Sequence, residues 1–116
     1  MNDEALSRIL KAVGDTTRRQ ILTRLVQEGA MRVTALAAHF DMSLNAVSKH
    51  IKVLEEAGLV TRQTLGREHF IAAALEPLKL TESWFGQLKS IWDLRLVALE
   101  NILVSKEKPD AGNSRK

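Results

Sequence analysis

Three residues at fixed spacings near the middle of the chain limit the folds that it can adopt. Ala37 lies where two consecutive helices must approach closely, so a small side chain is needed there. Asp41, four residues later, falls in the turn between those helices, where we expect a backbone conformation that Gly, Asn and Asp tolerate. Val47, six residues further on, is the branched residue that packs the second helix onto the first. Together these spacings predict a helix-turn-helix.

Apolar residues at helical spacing predict four helices before residue 58. Asp15 is expected to cap the second helix and Gly29 to close it. Thr34 and Ser43 are expected to cap the third and fourth helices, and Gly58 to end the fourth. The inward-facing residues of the first three helices are Leu6, Ile9, Leu10 and Val13, then Ile21, Leu22, Leu25 and Val26, then Leu36, Ala37 and Phe40.

The pattern changes at Leu59. Two short segments, LVTRQ and EHFIA, predict strands that residues 64–67 join into a hairpin. Helical spacing returns after Pro77 and continues from about Leu78 to Val104. The sequence therefore predicts a mostly α chain with a small β-hairpin wing, the order of a winged helix-turn-helix, over residues 1–104. We expect residues 105–116, SKEKPDAGNSRK, to form a disordered polar tail.

The predicted fourth helix, residues 43–57, separates an apolar face from a polar one. The apolar face comprises Leu44, Val47, Ile51 and Leu54. The polar face comprises Asn45, Ser48, Lys49 and Lys52, with Ser43 at the helix start and His50 at the edge, within reach of a phosphate. Asn reads adenine edges bidentately, while Ser and Lys bind bases or phosphates. Most Ser/Lys faces are merely solvated, but within a helix-turn-helix this one favours the DNA major groove.

The hairpin carries two arginines that point to the same partner. Arg62 precedes and Arg67 follows its Gly-containing turn, so we expect two cations to flank a protruding loop, the wing at residues 62–69. Arg67 is expected to enter the adjacent minor groove or to bind a phosphate. The alternative is an ordinary hairpin whose arginines keep the tip soluble.

Composition excludes several other classes of protein. The net charge of +3 is too small for a binder that relies on electrostatics alone, and the absence of Cys removes thiolate metal sites, disulfides and thiol nucleophiles. The three histidines include no i, i+4 pair, so we expect no metal site and no cofactor. No nucleophile elbow or phosphate-binding glycine pattern indicates an enzyme. No signal core or membrane-length apolar run is present, so we expect a cytoplasmic protein.

The predicted last helix has two apolar stripes where a monomer needs one. The first comprises Phe85, Leu88, Trp92, Leu96, Leu99 and Leu103, and the second comprises Trp84, Ile91, Leu94, Ala98 and Ile102. We expect a homodimer through the terminal helices, because one stripe needs a partner. Its predicted interface residues are Leu6, Ile9, Leu10, Trp84, Leu88, Ile91, Trp92 and Leu99. The two tryptophans either line an effector pocket or belong to the core, and the sequence identifies no effector.

Three segments resemble the ArsR/SmtB family of bacterial transcriptional repressors. DMSLNAVSKHIKVLEEAGLV (41–60) resembles the recognition helix and following strand, and RQTLGREHF (62–70) resembles the wing. GDTTRRQIL (14–22) is similar to the family's D-P-T-R opening, with Thr16 in place of Pro. The resemblance implies a homodimer whose two recognition helices, about 34 Å apart, occupy a pseudo-palindromic operator in double-stranded DNA and repress transcription.

The family's metal sites are not matched. Metal-sensing members bind through a Cys-x-Cys motif at the start of the third helix or through Asp, His and Glu on the last helix. This chain reads MRVTALAAHF (31–40) in the first region and has no His in the second. It therefore resembles the metal-independent branch. The alternative function is a winged-helix module for protein–protein contact, which predicts an apolar or acidic face on the fourth helix.

Overall fold

Five helices and three short strands are formed by residues 3–106, the part of the chain that this computed structural model describes. Their order is α1 (Asp3–Val13), α2 (Thr16–Glu28), β1 (Met31–Arg32), α3 (Val33–Ala37), α4 (Leu44–Glu56), β2 (Val60–Leu65), β3 (Glu68–Ala73) and α5 (Leu78–Lys106). The predicted helical chain with a hairpin wing is confirmed. The predicted tail began at residue 105, but α5 continues to Lys106; the remainder of that tail lies outside the described residues.

Side-chain caps fix where α2 and α4 begin. The Asp15 carboxylate accepts a hydrogen bond from the Arg18 backbone N–H at 3.1 Å, and the Ser43 hydroxyl oxygen accepts one from the Ala46 N–H at 3.0 Å. Each cap satisfies one of the N–H groups that a first helical turn leaves unpaired. Both caps were predicted from the sequence. The Ser43 cap sets the residue at which α4 begins.

The Asp15 cap is expected to make stability depend on acidity. The hydrogen bond from the Arg18 backbone N–H is the main reason that the pKa of Asp15 lies below its ordinary value of 3.8 in the folded chain; the nearby Arg18 and His50 charges also lower it. A depressed folded-state pKa stabilises the fold above the unfolded value, and this contribution is lost as the pH falls through the folded pKa.

Asp15→Asn retains a capping oxygen but does not titrate. We therefore expect the melting temperature of this variant at neutral pH to be lower than that of the wild type. This difference in melting temperature should become smaller as the pH is lowered from about 5 towards 2. Thermal melts followed by circular dichroism measure it at each pH. A difference that stays constant with pH would contradict this role of the carboxylate.

The third helix is shorter than the sequence predicts and begins earlier. It starts at Val33 after an Arg32 N-cap that makes no side-chain capping bond, so the prediction of a Thr34 cap is wrong. The reason is that Met31 and Arg32 pair with β3, so the chain passes from the strand directly into the helix. Met31 and Arg32 thus form a third strand of the sheet.

The turn between α3 and α4 is closed by short-range hydrogen bonds. The N–H groups of His39 and Phe40 bind the carbonyl oxygens of Leu36 and Ala37, three residues back, at 3.1 and 3.0 Å. This is the hydrogen-bond pattern of a 3₁₀ turn. Within residues 3–106 every positive φ belongs to a glycine, so the expectation of a special conformation at Asp41 is wrong.

The core lies between the helices and one end of the sheet. Its side chains, each buried, are Ile9, Ala12, Ile21, Leu22, Leu25, Leu36, Val47, Ile51, Leu54, Ala57, Leu59, Val60 and Ile71. Three residues predicted to be in the core are not there: Val26 is 56% exposed, Leu44 is 50% exposed, and Leu10 is half-buried outside the core cluster. Val26 lies in the last turn of α2 and Leu44 in the first turn of α4. Leu6 is also buried.

A Schellman motif joins α4 directly to the hairpin. Gly58 adopts φ +78°, the Gly58 N–H binds the Glu55 carbonyl oxygen at 3.0 Å, and the Leu59 N–H binds the Leu54 carbonyl oxygen at 2.9 Å. Val60 then begins β2 without an intervening linker. The sheet order is β1-β3-β2 and both pairings are antiparallel.

The helix α5 crosses a division of the chain into two units, which falls after Thr81. In its first turn Leu78 and Leu80 pack against the core. Beyond Thr81, members of both predicted apolar stripes are exposed in the single chain: Phe85, Leu88, Trp92, Leu99 and Leu103 on the first, and Ile91, Leu94 and Ile102 on the second. A charged strip separates them on the remaining side, where Lys89 and Asp93 form an ion pair of 3.0 Å. Among residues 3–106 no helix is long and apolar enough to span a membrane.

Candidate DNA-binding surface

The four residues predicted to form the polar face of the fourth helix lie on one side of α4. Asn45, Lys49 and Lys52 are exposed and Ser48 is half-buried, while Val47 and Ile51 on the opposite side are fully buried. Within the described part of the chain neither Lys49 nor Lys52 has an acidic partner within ion-pair distance. Their charges are therefore available to an anion. Ser43, at the start of the helix, is exposed but uses its oxygen as the cap.

His50 occupies a different environment from the other predicted site residues. Its Nδ1 atom lies 3.2 Å from Nη1 of Arg18 and 3.9 Å from Oδ2 of Asp15, so the ring links α4 to the start of α2. A guanidinium only donates hydrogen bonds; in the neutral ring Nδ1 is therefore the acceptor and Nε2 carries the proton. The phosphate contact predicted for His50 would consequently have to come from Nε2.

Arg18 is a residue whose role the sequence reasoning missed. Its Nε donates to the carbonyl oxygen of Ala12 at 2.7 Å and its Nη2 to that of Lys11 at 3.0 Å, and both carbonyls belong to the last turn of α1. With His50 as its third partner, one side chain connects α1, α2 and α4. The pattern Asp15–x–x–Arg18 is visible in the sequence, but the contact of Arg18 with His50, 32 residues away, is not.

The wing is a tight hairpin with one cation at its tip. The last strand pair is Leu65 with Glu68, so the loop is only Gly66 and Arg67. Thr64 and Leu65, which were predicted to lie in the turn, belong to β2. Gly66 adopts φ +66°, which a side chain would disfavour. Among residues 3–106, Arg67 has no ion-pair partner, and Leu65 beside it is 62% exposed.

Arg62 does not flank the tip. It pairs with Ile71 in the middle of the hairpin, because β2 continues for three residues beyond it. Its Nη2 atom lies 3.4 Å from Oε1 of Glu55, near the end of α4. The expectation of two cations on either side of the loop is therefore wrong for Arg62, whose charge is partly balanced at the base of the wing.

A second ion pair ties the wing to the rest of the sheet. Arg32 on β1 places Nε 3.1 Å from Oε1 of Glu68 and its guanidinium carbon 5.8 Å from the centre of the Phe70 ring. On the outer strand pair, Thr64 Oγ1 lies 3.3 Å from His69 Nδ1. Exposed pairs of this kind stabilise a fold only slightly, but they orient the hairpin. Neither contact was predicted from the sequence.

The three histidines lie in separate places. His39 is exposed in the turn after α3, His50 contacts Arg18 and His69 contacts Thr64. Across residues 3–106, no group of three or more His, Cys, Asp and Glu side chains is arranged to hold a metal ion.

Comparison with known proteins identifies the family whose fold carries this surface. The helix-turn-helix domain family matches residues 13–63, which include α2 to α4 and the start of the hairpin. A solved structure of an ArsR family transcriptional regulator superposes with a TM-score of 0.75 at 35% sequence identity, covering 80% of this chain and 95% of the other. The chain belongs to the ArsR family. An ArsR-like regulator from Rhodococcus superposes similarly, with a TM-score of 0.74 at 31% identity, over 85% of this chain and 92% of the other.

Relatives of this ArsR-family chain by sequence are transcriptional regulators. The HTH-type transcriptional regulator YuzN of Bacillus subtilis is 39% identical over 83 residues, which is 66% of this chain and 90% of YuzN. The transcriptional repressor SdpR of the same organism is 32% identical over 78 residues, which is 67% of this chain and 83% of SdpR. The predicted resemblance and the predicted class, a winged helix-turn-helix transcriptional regulator, are thus confirmed.

One solved ArsR-family neighbour was studied as a dimer. It is the homodimeric winged helix-turn-helix DNA-binding domain of a possible ArsR-family regulator from Mycobacterium bovis. The TM-score is 0.60 at 26% identity, and the match covers 80% of this chain and 82% of that one.

Proposed function

We propose that this regulator is a homodimeric repressor that occupies a pseudo-palindromic operator. Residues 43–57 would enter the major groove and the wing, residues 62–69, would contact the adjacent backbone or minor groove. The observation that carries the proposal is the exposed face of α4, where Asn45 lies beside two lysines that have no acidic partner in the described chain. A protein-interaction module would need an acidic or apolar face at this position, whereas the face of α4 with Asn45 and the two lysines is polar and basic.

Each predicted DNA contact has a distinct role in this proposal. Asn45 would hydrogen-bond an adenine edge. The hydroxyls of Ser43 and Ser48 and the ammonium groups of Lys49 and Lys52 would bind phosphates or bases and fix the register. The remaining assigned contacts are Arg67 in the minor groove, Arg62 at a phosphate near the base of the wing, and Nε2 of His50 at a phosphate beside α4.

The dimer would form through α5. Its two exposed apolar stripes need cover that a lone helix cannot supply, and the M. bovis neighbour is homodimeric. We propose that Trp84, Leu88, Ile91, Trp92 and Leu99 lie in the interface, with Leu10 of α1. Leu6 and Ile9 are excluded from it, because their own subunit already buries them to 7% and 1% exposure. Two-fold symmetry would set the two α4 helices about 34 Å apart, one turn of duplex.

The proposal is tested by fluorescence anisotropy across a salt series. The probes are duplex DNA from upstream of the protein's own gene and a scrambled duplex of the same composition. We expect tight binding of two subunits to the first duplex only. Equal, weak binding to both duplexes would contradict an operator at that position and favour the protein-interaction module.

We propose that DNA binding is independent of metal ions. The start of α3 offers no thiol and α5 no histidine, so the two metal-site regions of the family lack their ligands. We expect operator affinity to stay within twofold when EDTA or a slight excess of Zn²⁺ is added, as measured by the same anisotropy titration. A tenfold change with Zn²⁺, about 1.4 kcal/mol, would show that the chain holds a metal site of another kind.

The proposed site of action is the cytoplasm, where a bacterial regulator meets its operator. The effector, whether a small molecule or a protein, stays unassigned.

A further inference from the structure

Leu44 is an exposed apolar residue on a surface that is otherwise polar. It is the first residue of α4, directly after the Ser43 cap, and it is 50% exposed. Met42, two residues earlier, is 37% exposed. Single exposed leucines are common on protein surfaces, so the position of Leu44 matters more than its exposure. It adjoins Asn45 and lies one helical turn from Ser48, the positions proposed to face DNA.

We propose that Leu44 recognises a thymine in the operator by packing against its 5-methyl group. The inference rests on the proposed function and adds to it a residue that determines specificity. Thymine is the one base that presents an apolar group in the major groove, and the first residues of a recognition helix are those that contact base edges. A leucine side chain has no donor, so it has no means of binding a phosphate.

The surroundings favour DNA over a protein as the occupant. The apolar patch consists of Met42 and Leu44, far less than the roughly 800 Å² per partner that a stable protein interface buries. The cations Lys49 and Lys52 border the same face and attract a polyanion.

The proposed base contacts of Leu44 and Asn45 predict part of the base sequence of the half-site. Asn45 pairs with adenine, and Leu44 packs against a thymine methyl. Successive residues at the start of a helix point about 100° apart, so these two side chains reach neighbouring base positions. We therefore expect adjacent A·T pairs opposite the first turn of α4.

The experiment removes single methyl groups from the DNA. Duplexes are selected by the wild-type protein from a random pool, and each thymine of the selected half-site is then replaced in turn by deoxyuridine, which lacks only the 5-methyl group. At one position we expect affinity to fall about fourfold, the effect of exposing one buried methyl group. Leu44→Ala should bind the two versions of that duplex equally.

Two controls separate this contact from general effects. Leu44 is exposed and alanine favours helices, so Leu44→Ala should keep its fold, which circular dichroism verifies. Lys52→Ala should weaken binding to every duplex by a similar factor and retain the full fourfold response to deoxyuridine, because a phosphate contact carries no sequence information.

Three results would overturn the inference. One is that no thymine in the half-site responds to loss of its methyl group, and another is that the response is unchanged in Leu44→Ala. The third is that Leu44→Ala changes the oligomeric state in sedimentation, which would make the patch a protein contact. In all three, selection of a defined duplex would leave the proposed function standing. Failure to select any sequence would overturn the proposed function, and this inference with it.

Discussion

Leu99→Glu is expected to convert the dimer into monomers that bind the operator poorly. Leu99 is 51% exposed in the single chain and belongs to the first apolar stripe of α5. In a dimer the substitution would place an unpaired carboxylate in an apolar interface on each side of the two-fold axis. Such burial costs several kcal/mol, so the dissociation constant of the dimer should rise by about a hundredfold or more. Analytical ultracentrifugation measures it.

The matched control is Asn101→Glu, which adds the same charge to the same helix. Residue 101 is exposed and lies about 200° around the helix from residue 99. We expect this variant to remain dimeric and to bind the operator nearly as well as the wild type. If Leu99→Glu dimerises as tightly as the control, the assignment of this stripe to the interface is wrong.

The second large effect is expected from removing Lys49 and Lys52 together. Each phosphate neutralised on duplex DNA contributes about 0.9 to the slope of log affinity against log salt. The double alanine variant should therefore lose one to two units of slope per subunit. Its operator affinity at low salt should fall by well over tenfold. Anisotropy titrations at several salt concentrations give both quantities.

A variant of equal charge tests whether position matters. Lys79→Ala with Lys89→Ala removes two exposed lysines from α5, where each forms an ion pair of 3.0 Å with a nearby carboxylate. We expect its salt slope to match that of the wild type. Equal slopes for all three proteins would mean that Lys49 and Lys52 do not contact phosphate.

The local features of the fold were predictable because short-range interactions determine them. Asp15 and Ser43 cap the helices expected of them, and Gly58 ends α4 with a positive φ. In each case the residue type and its near neighbours are sufficient. Asp41 shows the limit of this reasoning, since the 3₁₀-type hydrogen bonds before it provide a turn that needs no special residue.

The contacts that modify the candidate site were not predictable, because they join distant parts of the chain. The Arg18–His50 and Arg32–Glu68 contacts depend on how the elements pack. Helical periodicity also assigns Leu44 to the apolar face, but Leu44 is 50% exposed at the first residue of α4. Periodicity gives the direction of a side chain and not the extent of the core it meets.

The Schellman junction at Gly58 and Leu59 leaves only three residues, 57–59, between α4 and the first strand of the wing. Because this connection is short and hydrogen-bonded, we expect the protein to set the distance between α4, which is proposed to enter the major groove, and Arg67. The duplex must then supply the matching groove width. Stiff, narrow A-tract sequence under the wing should thus bind more tightly than flexible steps there, although no side chain reads those bases. Part of the protein's preference among operator sequences would then come from the shape and stiffness of the DNA.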